Sequence, residues 1–228
     1  MSDPIVIAVD GPGGAGKGEL TRRLAEALDF DLLDSGAIYR VLAYAVRKAG
    51  LALFDEDSVV QEAKLLNLSF ECHDDGVHVL LGGEDVSSQI RTEEAGANAS
   101  KVAAYPSVRQ ALLQRQREFL KEPGLVADGR DMGTVVFPKA QVKIFLDASA
   151  EVRAKRRCLQ LESKGKIADY DTILKEIQER DDRDRNRPVA PLKAADDALL
   201  IDSSDMDIQA VYKTALDYVK QKTGLKVE

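Results

Sequence analysis

Cysteine is almost absent from this 228-residue sequence, and the two that occur, Cys72 and Cys158, stand far apart without a C-x-x-C pair. That spacing excludes a disulfide framework or a cysteine-based metal centre as the organising device, and both thiols are expected to be reduced and structural. No apolar run approaches the ~20 residues a membrane-spanning helix needs, so no membrane partner is expected. The opening MSDPIVIAVD has no basic segment followed by an apolar core and cleavage site, and the chain is read as cytoplasmic. Positive charge is not in excess. The net charge of −7 argues against nucleic acid as a broad partner, while local arginine clusters can still attract small phosphorylated ligands. Cys72, His73, Asp74 and His78 fall close together around a turn, but without zinc-site spacing, and no protein-held metal is expected there.

What is present is ordinary for a globular protein: 44% hydrophobic and 31% charged residues, suited to one compact domain with insertions and a real core. The most informative stretch is Ile5 to Leu20, IVIAVDGPGGAGKGEL. Gly11, Gly16 and Lys17 satisfy the first seven positions of G-x-x-x-x-G-K-[ST], and the apolar run 5–9 supplies the buried strand that the motif requires in front of it. Glycines at 11, 13, 14 and 16 let backbone N–H groups turn inward against phosphate oxygens. Lys17 adds a mobile charge, and the helix that begins near Gly16 aims its positive end at the same place. The eighth position is Gly18, which offers no hydroxyl to Mg²⁺, so an ion held mainly by nucleotide phosphates and water is expected.

Five short apolar runs each end in aspartate: IVIAV before Asp10, LL before Asp34, LVA before Asp128, KIFL before Asp147 and LLI before Asp202. With helical patterns between them they predict an α/β fold, a parallel five-stranded sheet flanked by helices, with ligands at the carboxyl ends of the strands. Turn and capping chemistry suffices for Asp147 and Asp202, whereas Asp10, Asp34 and Asp128 have neighbours that point to more. Helical spacing is read over 20–28, 38–49, 107–120 and 207–223. Between Leu51 and Tyr105 the rhythm breaks, and LSFECHDDGVHVLLGGEDVS alternates across an Asp75-Gly76 turn as a hairpin does, marking a small inserted subdomain. Residues 150–187 read as two charged helices broken at Gly165. The first carries Arg153, Arg156 and Arg157, and the second ends in ERDDRDRNR. A solvated face is the default for such a run, but arginines at 180, 183, 185 and 187 favour a lid that closes over phosphates.

A phosphate-binding loop serves hydrolases, switches and phosphotransferases alike. The NKxD base-reading motif of guanine switches is missing, as are long repeats or partner modules. Arginine is plentiful near strand ends, at 40, 109, 130, 180 and 187, and no histidine is placed for catalysis. An acceptor that is itself a phosphate is already ionised and needs no general base, only neutralisation, alignment and exclusion of water.

The segments GPGGAGKGEL, LLDSGAIYR, EDVSSQIRT, 100–109, ADGRDMGTVVFP and EIQERDDRDRNRPVAPL together resemble the bacterial cytidylate kinases over essentially the whole chain. That resemblance implies transfer of the γ-phosphoryl group of ATP, with Mg²⁺, to CMP or dCMP. It implies a P-loop core at 1–62, 103–149 and 189–228, an inserted nucleoside-monophosphate-binding subdomain at 63–102 and a lid at 150–188, in a chain acting as a monomer. It implies that Gly11, Pro12, Gly13, Gly14, Ala15, Gly16, Lys17, Gly18, Glu19 and Arg157 hold ATP. Ser35, Arg40 and Arg130 would take the CMP phosphate, Ser35 also being placed to cap its helix. Ser100, Arg109 and Asp131 would read the cytosine edge, and Arg180, Asp184 and Arg187 would reach ribose and phosphates. Lys17, Arg130, Arg180 and Arg187 would be catalytic, with Asp128 beyond the direct ligands of Mg²⁺. The sequence departs from the resemblance at Glu19, where Ser or Thr is expected. Glu19 is expected to turn outward to Arg22 or Arg23, because phosphate repels a carboxylate at a helix start. The competing readings are a kinase for another nucleoside monophosphate or small metabolite, and a non-catalytic nucleotide-sensing module.

Overall fold

The computed structural model describes residues 4–73 and 76–226. The chain forms two compact units, Met1–Leu33 with Arg117–Glu228, and Asp34–Gln116.

The first unit is built on a parallel sheet. Its strands are β1 (Ile5–Asp10), β2 (Asp31–Asp34), and, after the second unit, β6 (Gly124–Gly129), β7 (Val142–Asp147) and β8 (Leu199–Asp202), in the order β2-β6-β1-β7-β8. β1 pairs parallel with β6, setting Asp10 beside Gly129, and with β7, setting Asp10 beside Phe145. The chain therefore leaves β1 and β6 at neighbouring points of one sheet end, which brings the Gly-rich loop and Asp-Gly-Arg-Asp together. The helices of this unit are α1 (Lys17–Leu28), α7 (Ala150–Glu162), α8 (Tyr170–Asn186) and α9 (Ile208–Thr223). Alternate strand residues Ile7, Val9, Val126, Val142, Ile144, Leu146 and Ile201 face one side. There they bury themselves against Leu20 and Leu24 of α1 and Val211, Ala215 and Val219 of α9. Each buried aliphatic side chain of this kind contributes about 1.5–3 kcal/mol to folding.

The second unit begins with α2 (Ser35–Lys48), whose residues Ile38, Val41, Leu42 and Val46 are fully buried. It continues through α3 (Glu56–Leu65), strands β3 (Leu68–His73), β4 (Gly76–Leu81) and β5 (Glu84–Asp85), and helices α4 (Ser87–Ile90), α5 (Glu93–Val102) and α6 (Pro106–Arg117). The expected hairpin is β3 paired antiparallel with β4, with a short third strand beside it. Asp75, of the expected Asp75-Gly76 turn, and Asp74, of the cluster where no metal is expected, lie outside the described residues. Among the described residues no group of three or more His, Cys, Asp or Glu is placed to hold a metal, and no helix is long and apolar enough to cross a membrane. The helices α3 and α5 were not legible as periodic runs. Asp55 and Thr92 cap them by accepting from Ser58 N and Ala95 N, so local capping rather than a long apolar stripe starts them.

Candidate active site

The loop between β1 and α1 is shaped by its glycines. A Cβ on Gly11 would sit 2.0 Å from the Leu146 carbonyl oxygen, so no other residue fits beside β7, and Gly16 caps α1 at φ 100°. Asp10, buried at the mouth of this loop, accepts from two successive amides, Met132 N at 2.7 Å and Gly133 N at 2.8 Å. It thereby pins the turn that follows Asp-Gly-Arg-Asp. That turn is a single π-helical segment, Met132–Val136, closed by Val136 N to Asp131 O and Phe137 N to Met132 O. Burial pushes the Asp10 carboxyl up to about 6, against the lowering effect of the two amides.

Lys17 folds back to donate to the Pro12 carbonyl at 2.9 Å, and its Nζ lies 3.7 Å from Asp128 Oδ1. Burial first, then the Arg130 guanidinium, pulls its ammonium down to about 8. Arg130 and Arg180 converge on Gly13: a Cβ there would stand 3.4 Å from one guanidinium and 3.3 Å from the other. Arg130 is held by Asp184 at 3.2 Å and by the Gly129 carbonyl at 3.1 Å. Burial alone would raise the Asp184 carboxyl, but Arg130, Arg180 and Arg187 outweigh it and hold it below the usual range. Arg187 pairs with Asp131 at 3.7 Å and donates to the Ala190 carbonyl at 2.5 Å. Of the four arginines near the end of α8, Arg180 and Arg187 turn inward. Arg183 and Arg185 are exposed, Arg185 standing 3.5 Å from Asp147, so half of the charged run turns inward and half is a solvated face. Arg157 on α7 is half-buried and donates to Gln160.

Glu19 turns away from the loop along its own helix. Its oxygens accept from Arg22 at 2.9 and 3.2 Å and from Arg23 at 2.6 Å, and these bonds hold its carboxyl below the usual range.

In the second unit, Ser35 does not cap its helix. Asp34 does, accepting from Ala37 N at 2.9 Å, because the residue ahead of the first helical one is extended and can reach back. The buried Ser35 hydroxyl instead donates to Gln116 Oε1 at 2.6 Å. Arg40 donates to the Ile90 carbonyl at 3.2 Å, and Ser100 is buried on α5, which packs on α2. Arg109 is buried on α6, donates to the Ala103 carbonyl, and lies over the Tyr39 ring at 5.6 Å.

The cytidylate kinase family model matches residues 7–221. The chain belongs to the cytidylate kinase family. It is 58% identical to the cytidylate kinase of Pasteurella multocida over 99% of this chain and all of that one. It is 61% identical to that of Photobacterium profundum over 95% of each, and 59% identical to that of Vibrio vulnificus over 95% of this chain and 96% of that one. Among solved structures, a gluconokinase from Sinorhizobium meliloti aligns over 97% of this chain and 94% of its own at 15% identity and a TM-score of 0.45.

As a cytidylate kinase family member the chain carries three buried polar groups that sequence reasoning left without a site role. Tyr39 faces Arg109, Gln116 holds Ser35, and Arg153 donates to the Gly13 carbonyl. Tyr39 adjoins Arg40 in LLDSGAIYR, and an aromatic ring beside an arginine is the available signal. Gln116, 81 residues from Ser35, gave none.

Proposed function

We propose that this chain is an ATP-dependent phosphotransferase that moves the γ-phosphoryl group of ATP to CMP or dCMP, giving ADP and CDP or dCDP. The observation that carries the reading is the convergence of the Arg130 and Arg180 guanidiniums on Gly13 of the phosphate-binding loop, close enough to the Lys17 ammonium to depress it. Such a constellation neutralises and aligns two phosphates, which is most of what this chemistry requires. The acceptor phosphate is ionised at neutral pH, so the side chains have no proton to remove from it.

In this reading residues 11–19, Lys17 and Arg157 hold ATP, while Ser35, Arg40 and Arg130 hold the CMP phosphate. Asp131 accepts from the exocyclic amine of cytosine, and Arg109 and Ser100 donate to its O2 and N3, a pattern that uracil inverts at the 4-position and at N3. Asp184, Arg180 and Arg187 serve the ribose and the phosphates, the planar forks of the arginines matching developing charge on the transferred group. The division into a core (1–62, 103–149 and 189–228), a nucleoside-monophosphate-binding subdomain (63–102) and a lid (150–188) belongs to the same proposal, as do a cytoplasmic setting and a monomeric state.

The donor set fits Mg²⁺ delivered with the nucleotide rather than caged by protein. Position 18 has no hydroxyl, and Asp128 is the carboxylate that faces it, 3.9 Å from where a Cβ on Gly18 would lie. When bound, the ion shields the oxygens of the donor phosphates, and Asp128 would hold it through water.

ADP formation from ATP and Mg²⁺ with CMP, dCMP, UMP, AMP or no acceptor tests the reading. Turnover confined to CMP and dCMP is expected. ADP without acceptor would indicate a hydrolase, preference for another acceptor a different kinase, and silence with all of them a sensor.

A further inference from the structure

The charged stretch 150–162 has one member that behaves unlike a surface residue. Arg153, in the first turn of α7, is only 3% exposed. Its Nε donates to the Ala148 carbonyl at 2.9 Å, and its Nη1 donates to the Gly13 carbonyl at 3.0 Å and to Asp181 Oδ1 at 3.0 Å. Its Nη2 donates to Asp181 Oδ2. Four of its five N–H donors are thus engaged on three separate segments: the end of β7, the phosphate-binding loop and α8. The stem runs under Gly14, where a Cβ would meet its Cβ, Cγ and Cδ at 3.5–3.8 Å.

A buried guanidinium is retained at a desolvation cost that only good geometry offsets, and here the geometry is a bidentate fork plus two carbonyls. Its consequences fall on the reacting groups. Because the peptide unit is planar and trans, fixing the Gly13 carbonyl toward Arg153 turns the Gly14 N–H the opposite way. Because Asp181 follows Arg180 and precedes Asp184 by one helical turn, fixing Asp181 fixes the rotation of α8, and with it the reach of Arg180 to Gly13 and of Asp184 to Arg130.

We propose that Arg153, acting through Asp181 and the Gly13 carbonyl, is a positioning residue for phosphoryl transfer: it locks α8 and the Gly13–Gly14 peptide into the one arrangement in which Arg180 lies over the phosphate-binding loop. The inference rests on the phosphotransferase reading above. A lysine cannot replace it, since a single ammonium cannot span a carboxylate fork and two carbonyls at once.

The test is a cycle of wild type, Arg153→Lys, Arg180→Ala and the double variant. It is read by steady-state kinetics with ATP and CMP, by calorimetric ATP affinity and by thermal unfolding. Misplacing a group by about an ångström costs about 100-fold in rate, so Arg153→Lys is expected to lower kcat by roughly 10- to 100-fold, with a smaller rise in ATP Kd from the loosened Gly13–Gly14 peptide. Because the effect runs through Arg180, the double variant is expected to be no slower than Arg180→Ala beyond about twofold. A kcat for Arg153→Lys within about twofold of wild type overturns the proposal, and so do losses that multiply in the double variant. Should Arg153→Lys fail to fold, Asp181→Asn, which keeps the shape but breaks the charged fork on the more exposed partner, is read by the same criteria. Wild type failing to make CMP-dependent ADP would overturn the phosphotransferase reading and this role with it. An active wild type with an indifferent variant overturns only the role of Arg153.

Discussion

Arg187 and Asp131 form a buried ion pair, Nη2 standing 3.7 Å from Oδ1, with both side chains almost wholly withdrawn from solvent. The pair joins the end of α8 to the turn after β6, so the residue proposed to read cytosine is preset by a residue proposed to serve the phosphates. Removing one partner of such a pair weakens the charge balance around the other, although Arg187 still faces Asp184.

Asp131→Ala is therefore expected to act twice. CMP affinity falls by about one to two orders of magnitude and the preference for CMP over UMP collapses, as expected when a buried polar contact is lost, while ATP affinity holds. The melting temperature drops as well, because buried Arg187 loses one of the two carboxylates that offset its charge. Competition between CMP and UMP in the turnover assay checks the first effect and thermal unfolding the second. An unchanged preference for CMP would remove Asp131 from base reading.

Lys17 gives a pH dependence to nucleotide binding. Its ammonium is lowered to about 8 by burial and by Arg130. A triphosphate favours the charged form and raises the value again, so binding takes up a proton above about pH 8, and ATP affinity falls as pH rises through that region. Calorimetry at pH 8.5 in two buffers of different ionisation enthalpy measures the uptake directly. Identical heats in both buffers would show that Lys17 is fully charged before ATP arrives.

Asp10 gives one to folding. Its carboxyl moves from 3.8 in the unfolded chain to about 6 in the folded one. Between those values the folded protein keeps a proton that the unfolded chain has released. This contribution is therefore complete below about pH 4 and is lost as pH rises through 6, a swing of order 3 kcal/mol. Asp10→Asn removes the titration, so its stability relative to wild type should improve between pH 4 and pH 7 by denaturant unfolding. A flat difference over that range would mean that the two amides of Met132 and Gly133 keep Asp10 ionised throughout.

Glu19 stands where the family pattern leads one to expect Ser or Thr, and in the structure its carboxylate belongs to Arg22 and Arg23. Exposed helix pairs of this kind are worth only ~0.2–0.5 kcal/mol each. Glu19→Thr is accordingly expected to leave kcat within a few-fold and to tighten ATP modestly with the same Mg²⁺ requirement. A Mg²⁺ titration of both proteins decides it, since a large rise in the ion needed by the variant would place the carboxylate on the metal.

The sequence by itself determined the sheet, the loop and the family. Apolar runs of strand length ending in aspartate, glycines spaced for a phosphate loop and an Asp-Gly-Arg-Asp turn are local patterns, each fixed by residues within a few positions of one another. The helices α3 and α5 escaped that reading because their ends are set by caps and their apolar residues are few. What only the tertiary structure decided is how polar side chains far apart in sequence satisfy one another once buried. Ser35 turned to Gln116 and yielded the cap to Asp34, Arg187 closed on Asp131, and half of the charged run on α8 faced inward while the rest stayed in water. Arg153 carries the same lesson furthest. In the sequence it is one basic residue among several, and it becomes distinct only when folding brings Ala148, Gly13 and Asp181 around its guanidinium, since a buried charge must be met by every partner the fold can supply.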